Sequence, residues 1–218
     1  MTINHRNKLF TFNLAASYNI GSYILPGETT EELTQSIESK LKVTICACTE
    51  IIQGIKSEKF DLGLIEIPLF DDELLYKEWI DDELVICSNI ELPKRLKKEN
   101  LANYKLICRR EKSITRRIIG DFFEKFDISY QSFKSLSEID NITAAIQAVK
   151  WTRPNADYPT ITIVSKFVIE DKLKYKELFI SRIGEEVMMN KHYIVYSKKR
   201  ENDPTIHNII TQLMKSID

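Results

Sequence analysis

The stretch VTICACTEIIQGIKSEKFDLGLIEIP, residues 43–68, decides the fold of this chain. Its ends, residues 43–48 and 62–68, are short apolar runs rich in β-branched residues, which is typical of buried strands. The residues between them suffice for one crossover helix, and such a connection joins parallel strands. The pattern predicts strand, helix and strand, with Thr49 as the helix N-cap and Phe60-Asp61 at the turn into the second strand.

Strands and helices alternate along the remaining chain, which indicates an α/β protein. Further strands are predicted over 8–14, 105–109, 161–164, 178–182 and 188–196, and helices over 17–42, 113–126, 141–149 and 204–217. The helix within 17–42 is interrupted at Pro26-Gly27, and its second part places Leu33, Ile37 and Leu41 at helical spacing.

Two long extended segments, near 84–88 and 188–196, are candidate hinges. They predict a discontinuous first lobe, residues 1–87 plus 190–218, and a continuous second lobe, residues 88–189. Periodicity alone supports an α/β fold and leaves open whether it has two lobes.

The charge balance excludes nucleic-acid binding by this chain on its own. There are 31 Lys and Arg against 32 Asp and Glu, a net charge of -1, so no basic footprint exists for a phosphate backbone. No apolar run approaches the ~18 residues of a membrane span. The first ten residues lack the apolar core of a secretory signal. We expect a cytoplasmic chain without membrane contact.

The four cysteines, Cys46, Cys48, Cys87 and Cys108, all fall in apolar runs. Buried, reduced thiols are the simplest interpretation, and a redox switch through Cys46 and Cys48 stays open. The three histidines have no metal-ligand spacing relative to them. No metal or cofactor is expected.

Five stretches in this order carry a family resemblance. They are LFTFNLAAS at 9–17 with IG at 20–21 and YILP at 23–26, the strand–helix–strand of 43–68, WIDDELVIC at 79–87, LICRREKSITR at 106–116, and IVS at 163–165. Together they resemble the effector-binding domain of LysR-type transcriptional regulators over most of the chain. Two departures stand out. The family's N-terminal winged helix-turn-helix is absent from this sequence, and the loop 151–160 lacks the family's glycines.

The resemblance implies a two-lobed type 2 periplasmic-binding-protein-like fold, with two Rossmann-like subdomains joined by two hinge strands. It also implies a small, often anionic, effector held between the lobes, a homodimer, and DNA binding only through the missing N-terminal module. We expect that this module has been trimmed from a longer regulator.

Ligands of open α/β sheets bind at the carboxyl ends of the strands, where helix N-termini offer unpaired N–H groups. The candidate ligand-binding residues are Ser17, Thr49, Ser113, Thr115, Arg116, Asn141 and Thr160. For each hydroxyl, simple N-capping is the alternative role. Arg109 is another possible charge partner, and Trp151 and Tyr158 either wall the pocket or belong to the core.

No catalytic motif is present: there is no G-x-S-x-G, no P-loop and no H-E-x-x-H. The acidic clusters 71–73 and 81–83 are typical of solvated surface. We expect a ligand sensor and not an enzyme. A solute-binding protein of a transport system is the runner-up, and an enzyme on the same fold is a third possibility. A helix-turn-helix encoded upstream of Met1 would decide in favour of the regulator.

Overall fold

The structure, a computed structural model, describes residues 10–37, 40–154 and 156–215. Within these ranges the strands are β1 (Thr11–Ala16), β2 (Lys40–Ile45), β3 (Leu62–Ile65), β4 (Leu74–Ser88), β5 (Arg95–Leu96), β6 (Lys105–Cys108), β7 (Ser135–Glu138), β8 (Thr160–Ser165), β9 (Phe179–Ile183) and β10 (Met188–Ser197). The α-helices are α1 (Glu28–Ser36), α2 (Cys48–Lys56), α3 (Ile114–Lys125), α4 (Ile142–Lys150), α5 (Glu170–Lys174) and α6 (Pro204–Lys215). The predicted α/β class is confirmed.

The chain divides into two compact units. Unit 1 contains residues 1–80 and 191–218, and unit 2 contains residues 81–190. The chain passes from one unit to the other within β4 and β10, the strands that contain the two candidate hinge segments. The predicted lobe boundaries and the hinge role of these strands stay predictions.

The sheet of unit 1 has the order β2-β1-β3-β10. β1 lies parallel to both β2 and β3, and β10 runs antiparallel to β3. Helix α2 makes the crossover from β2 to β3 and buries Ile51, Ile52 and Ile55. This is the strand–helix–strand unit that the sequence predicts, and its second strand is completely buried.

The glycine of the DLGLI stretch, Gly63, lies where any side chain would collide with its neighbours. A Cβ at this position would lie 2.4 Å from Ile51 Cγ2 and 2.9 Å from both Ile55 Cδ1 and Val195 Cγ1. Real Cβ atoms do not approach other atoms so closely, so only glycine lets α2 pack directly on β3.

Two predictions in unit 1 are wrong. The first strand of residues 43–68 is neither buried nor extended to residue 48: β2 spans Lys40–Ile45, and it is an edge strand with Val43 37% and Ile45 42% exposed. The apolar face of Leu33, Ile37 and Leu41 is not a helical face either. Ile37 follows α1 in an extended conformation, and Leu41 belongs to β2, so only Leu33 is helical.

Unit 2, like unit 1, contains three neighbouring parallel strands. Its strand order is β4-β8-β6-β7, with β6 parallel to β7 and β8 and with β4 antiparallel to β8. β9 pairs with β4, and β5 with β9. Helix α3 buries Ile119 and Phe123 in the core, where the Phe123 ring lies 5.9 Å from the Phe133 ring. The predicted helices of unit 2 are present, with bounds shifted by a residue.

Candidate functional site

Ser17 is the most unusual of the predicted residues. It follows β1, is 2% exposed, and its hydroxyl has no hydrogen-bond partner among the described residues. Its backbone is fixed, because its N–H donates to the Leu64 carbonyl at 2.9 Å and its carbonyl accepts from the Gly21 N–H at 2.8 Å. The hydroxyl therefore caps no helix, and leaving such a group unpaired costs ~1–3 kcal/mol.

Thr49 is not the N-cap of α2. The N-cap is Ala47, and Thr49 is the second residue of the helix, with an exposed side chain. Glu50 anchors the start of the helix, because its carboxylate accepts from the Ala47 N–H at 3.4 Å. Ala47 has no side-chain acceptor, so the N–H groups of the first turn of α2 remain available to an anion.

A buried carboxylate that the sequence analysis did not single out lies beside this helix start. Glu66 directly follows β3 and is only 7% exposed. Burial raises the pKa of the neighbouring Cys48 thiol to about 12, and the negative charge of Glu66 adds to the rise. A lone acid at the end of an apolar strand was the available signal for this position.

All four cysteines are buried and unbonded, which confirms the expected burial. Burial also raises the pKa of Cys46, of Cys108 and of Cys87, the last to about 12. Because the thiolate is the reactive form, these thiols are poor nucleophiles at neutral pH.

The helix starts of unit 2 use two of the predicted residues as ordinary caps. The Ser113 hydroxyl accepts from the Arg116 N–H at 3.1 Å at the N-cap of α3. The Asn141 side-chain oxygen accepts from the Ala144 N–H at 3.0 Å at the N-cap of α4. Thr115, in the first turn of α3, is buried. β6 and β7 are parallel, so both helix starts lie at the same edge of the sheet.

Arg116 brings a positive charge to this edge. Its guanidinium carbon lies 3.4 Å from the centre of the Tyr130 ring, and its Nη1 has no hydrogen-bond partner among the described residues. Stacking on the ring fixes the orientation of the guanidinium. Burial raises the pKa of Tyr130 to about 12, and Arg116 opposes that rise. The contact between Arg116 and Tyr130 is a tertiary contact that no local sequence pattern predicts.

The remaining candidates lie apart from these helix starts. Thr160 begins β8, which is parallel to β6, so it lies at the amino end of the sheet, opposite Ser113. Trp151 is 76% exposed and donates to the Gln147 side chain, so it is not a core residue. Tyr158 lies beneath the Lys134 ammonium at 4.3 Å.

Across 10–37, 40–154 and 156–215 there is no group of three His, Cys, Asp or Glu side chains that could hold a metal ion. In the same residues, no helix is both long enough and apolar enough to cross a membrane. Within unit 1, Ser17 and the first turn of α2 follow the parallel neighbours β1 and β2 at one edge of the sheet. Within unit 2, Ser113, Thr115, Arg116 and Asn141 lie at the helix starts that follow β6 and β7.

Comparison with known families identifies the class of protein. The model of the family described as the LysR substrate binding domain matches residues 10–217. The chain therefore belongs to this family, which confirms the resemblance stated above. The family match favours a regulator over a transport protein or an enzyme.

Curated relatives are regulators by name. The chain is 24% identical to the HTH-type transcriptional regulator CysL of Bacillus subtilis over 204 residues, which are 92% of this chain and 65% of CysL. It is 27% identical to the uncharacterized HTH-type transcriptional regulator YeiE of Escherichia coli K12, over 73% of this chain and 52% of YeiE. The chain thus spans about half to two thirds of the length of these relatives.

Solved structures show the same fold. The regulatory domain of Synechocystis PCC6803 CcmR, in complex with 2-PG, superposes with a TM-score of 0.75 at 18% identity and covers 94% of this chain and 96% of that one. The effector-binding domain of QuiR, in complex with shikimate, gives a TM-score of 0.72 at 20% identity and covers 95% and 96%. These likenesses confirm the predicted type 2 periplasmic-binding-protein-like fold.

Proposed function

We propose that this chain is the effector-sensing part of a longer cytoplasmic transcriptional regulator, and that its effector is a small organic anion. DNA would be bound by a helix-turn-helix module outside this sequence. The observation that carries the proposal is the unsatisfied Arg116 Nη1 at the start of α3 in unit 2. In unit 1 the buried Ser17 hydroxyl is unsatisfied as well. An anion that hydrogen-bonds either group would recover the cost of leaving that group unpaired.

An anionic group suits both sets of helix starts. In unit 1 the first turn of α2 presents N–H groups without intrahelical acceptors, and in unit 2 the Arg116 guanidinium stands beside the start of α3. A helix N-terminus favours an anion by ~0.3–1 kcal/mol, and a charge-assisted hydrogen bond to a guanidinium contributes more. Two relatives of the same fold were solved with small ligands, shikimate and 2-PG.

Regulation would follow from a shift in conformational populations. An effector changes an equilibrium only as far as it binds one conformation better than another. The protein would convert the binding energy of the effector into a change in the DNA-binding part of the full-length regulator. The chain itself has a net charge of -1, so we expect it to bind DNA only through the additional module.

A homodimer is the proposed assembly, since closed twofold pairs are the commonest soluble oligomers. Leu33 and Ile37 do not serve as the contact, because both are buried inside unit 1. The exposed edge strands are better candidates: β2 exposes Val43 and Ile45, and β7 is exposed throughout and includes Leu136. An uncovered apolar edge strand is an aggregation hazard that a partner would remove.

The test is a thermal-shift screen of small carboxylates and phosphates on the wild-type chain and on Ser17→Ala. Binding at a hundred times Kd should stabilise the wild type by about 2.7 kcal/mol. In Ser17→Ala the stabilisation by the same ligand should fall, because one hydrogen bond is lost. Without ligand, the variant should be as stable as the wild type or more so, since an unpaired buried hydroxyl is removed.

Ser197→Ala is the matched control. The Ser197 hydroxyl accepts from the Lys199 N–H at 3.3 Å, and the antiparallel pairing of β10 with β3 places it at the opposite edge of the unit 1 sheet from Ser17. Its removal should leave ligand binding unchanged. A ligand whose affinity is the same in Ser17→Ala and in the wild type would place the effector elsewhere.

A further inference from the structure

A cavity lies inside unit 2, away from the helix starts of that unit. It has a volume of about 350 Å³ and opens at the carboxyl end of α3, whereas the proposed effector contacts lie at its amino end. Its floor consists of Phe122, Phe126, Ile128 and Ile183. A volume of this size, with an apolar floor and a few polar groups, is typical of a small-molecule site.

The floor is continuous with the core of unit 2. Ile128 and Ile183 belong to that core, and Phe122 and Phe126 are partly buried against it, with ring centres 4.6 Å apart. The two phenylalanine rings are therefore held in place and not free to collapse into the cavity. They present a fixed apolar surface to which a hydrocarbon or aromatic group can pack.

The rim carries charges of both signs. Lys97, Lys98 and Glu99 follow β5, and Glu185 and Glu186 stand at the turn that follows β9. Two of these five charges are already paired: Lys98 contacts Asp127 at 3.4 Å, and Glu185 contacts Arg95 at 3.3 Å.

Lys97, Glu99 and Glu186 are the rim charges that remain. None of them forms an ion pair with any residue in the described part of the chain. The cavity thus offers an apolar floor, one available cation and two available anions. All three side chains are long and exposed, so they can adjust to charged groups that sit close together on a ligand.

We propose that this cavity binds a free apolar α-amino acid, with its side chain on the phenylalanine floor, its carboxylate at Lys97 and its ammonium at Glu186. A ligand with only a negative charge would leave both available acids without a partner, and one with only a positive charge would leave Lys97 without a partner. A fully apolar ligand would leave all three of these rim charges without a partner. The inference goes beyond the proposed effector function and does not depend on it.

The test uses L-phenylalanine as the probe and the full chain as the protein. The Ile128 and Ile183 δ-methyl groups report on the floor by NMR, and calorimetry gives the affinity. We expect saturable shifts of both methyl signals, with Kd on the order of 1 mM or tighter. N-acetyl-L-phenylalanine, which lacks the ammonium, and L-phenylalaninamide, which lacks the carboxylate, should each bind roughly tenfold more weakly.

Variants of Lys97 and Glu186 then test which charged contacts the ligand makes. Lys97→Gln and Glu186→Gln should each weaken L-phenylalanine binding roughly tenfold, since each removes one charged contact. Lys112→Gln and Glu111→Gln, which alter exposed charges at another place in unit 2, should leave it unchanged.

Three results would overturn the inference. The first is the absence of methyl shifts up to ~10 mM probe, well above the expected Kd. The second is binding of either single-charge analogue that is as tight as that of L-phenylalanine. The third is binding that is lost in Arg116→Gln but kept in Lys97→Gln and Glu186→Gln. That third result would assign the amino acid to the helix starts, and it would support the proposed effector function while refuting this cavity as a site.

Discussion

Gly63 shows how one residue determines the packing of a helix on a strand. A Cβ there would overlap Ile51, Ile55 and Val195, which come from the helix above the strand and from β10 beside it. Gly120 gives the contrast, since it lies within α3 and a Cβ there would come no closer than 4.0 Å to the Tyr130 hydroxyl oxygen.

Gly63→Ala should therefore lower the free energy of unfolding by about 1–3 kcal/mol, the usual cost of overpacking a core. Gly120→Ala should raise it by about 0.5–1 kcal/mol, because alanine is the better helix former and meets no obstacle. Urea denaturation of the two variants beside the wild type measures both changes. A Gly63→Ala protein as stable as the wild type would show that α2 does not pack on β3 as described.

At the level of elements, the sequence predicted most of the helices and strands because their apolar periodicity is local. Prediction failed where the environment of a residue depends on elements that are distant in the sequence. Residues 43–48 have the composition of a buried strand, yet the strand that forms, β2 (Lys40–Ile45), is an edge strand, and edge position depends on strand order and not on composition. Ala47 is an N-cap without a capping side chain, so Thr49 was the natural but wrong choice.

The candidate site was predictable to the same extent. Ser113 and Asn141 follow strands and cap helices, which is a local pattern. Glu66 also had a local signal, since it is a lone acid at the end of an apolar strand. The stacking of Arg116 on Tyr130 arises from a tertiary contact, so a single sequence does not reveal it.

The N-cap of α3 yields a prediction about an element. Ser113→Ala removes the acceptor of the Arg116 N–H, and the free energy of unfolding should fall by ~1 kcal/mol. Ser113→Asp should restore most of that loss, because aspartate caps equally well. Chemical denaturation of both variants checks it, and equal stability of Ser113→Ala and Ser113→Asp would contradict the capping role.

At the level of the whole molecule, the proposed dimer predicts a mass near twice 25.4 kDa in sedimentation at micromolar concentration. Replacing Val43 and Ile45 together by Lys should shift the protein toward the monomer, because charges on the exposed β2 edge oppose apolar contact. The folded protomer should survive, since neither side chain belongs to the core.

A replacement of Tyr175 by Lys serves as the control for that experiment. Tyr175 is 73% exposed but lies on neither edge strand, so this variant should keep the mass of the wild type. A wild-type protein that is strictly monomeric up to ~100 μM would contradict the dimer, because contacts weaker than that rarely define a specific assembly.

The proposed anionic effector binds at helix starts that include Arg116. Titration calorimetry with a ligand from the carboxylate and phosphate screen measures the role of this guanidinium, on the wild type, Arg116→Gln and the adjacent Arg117→Gln. Arg117 is exposed and serves as the matched control. Arg116→Gln should weaken binding by at least about tenfold, the loss of one charge-assisted contact, while Arg117→Gln should change it less than about twofold. Equal affinities for the wild type and Arg116→Gln would contradict binding of the effector at Arg116.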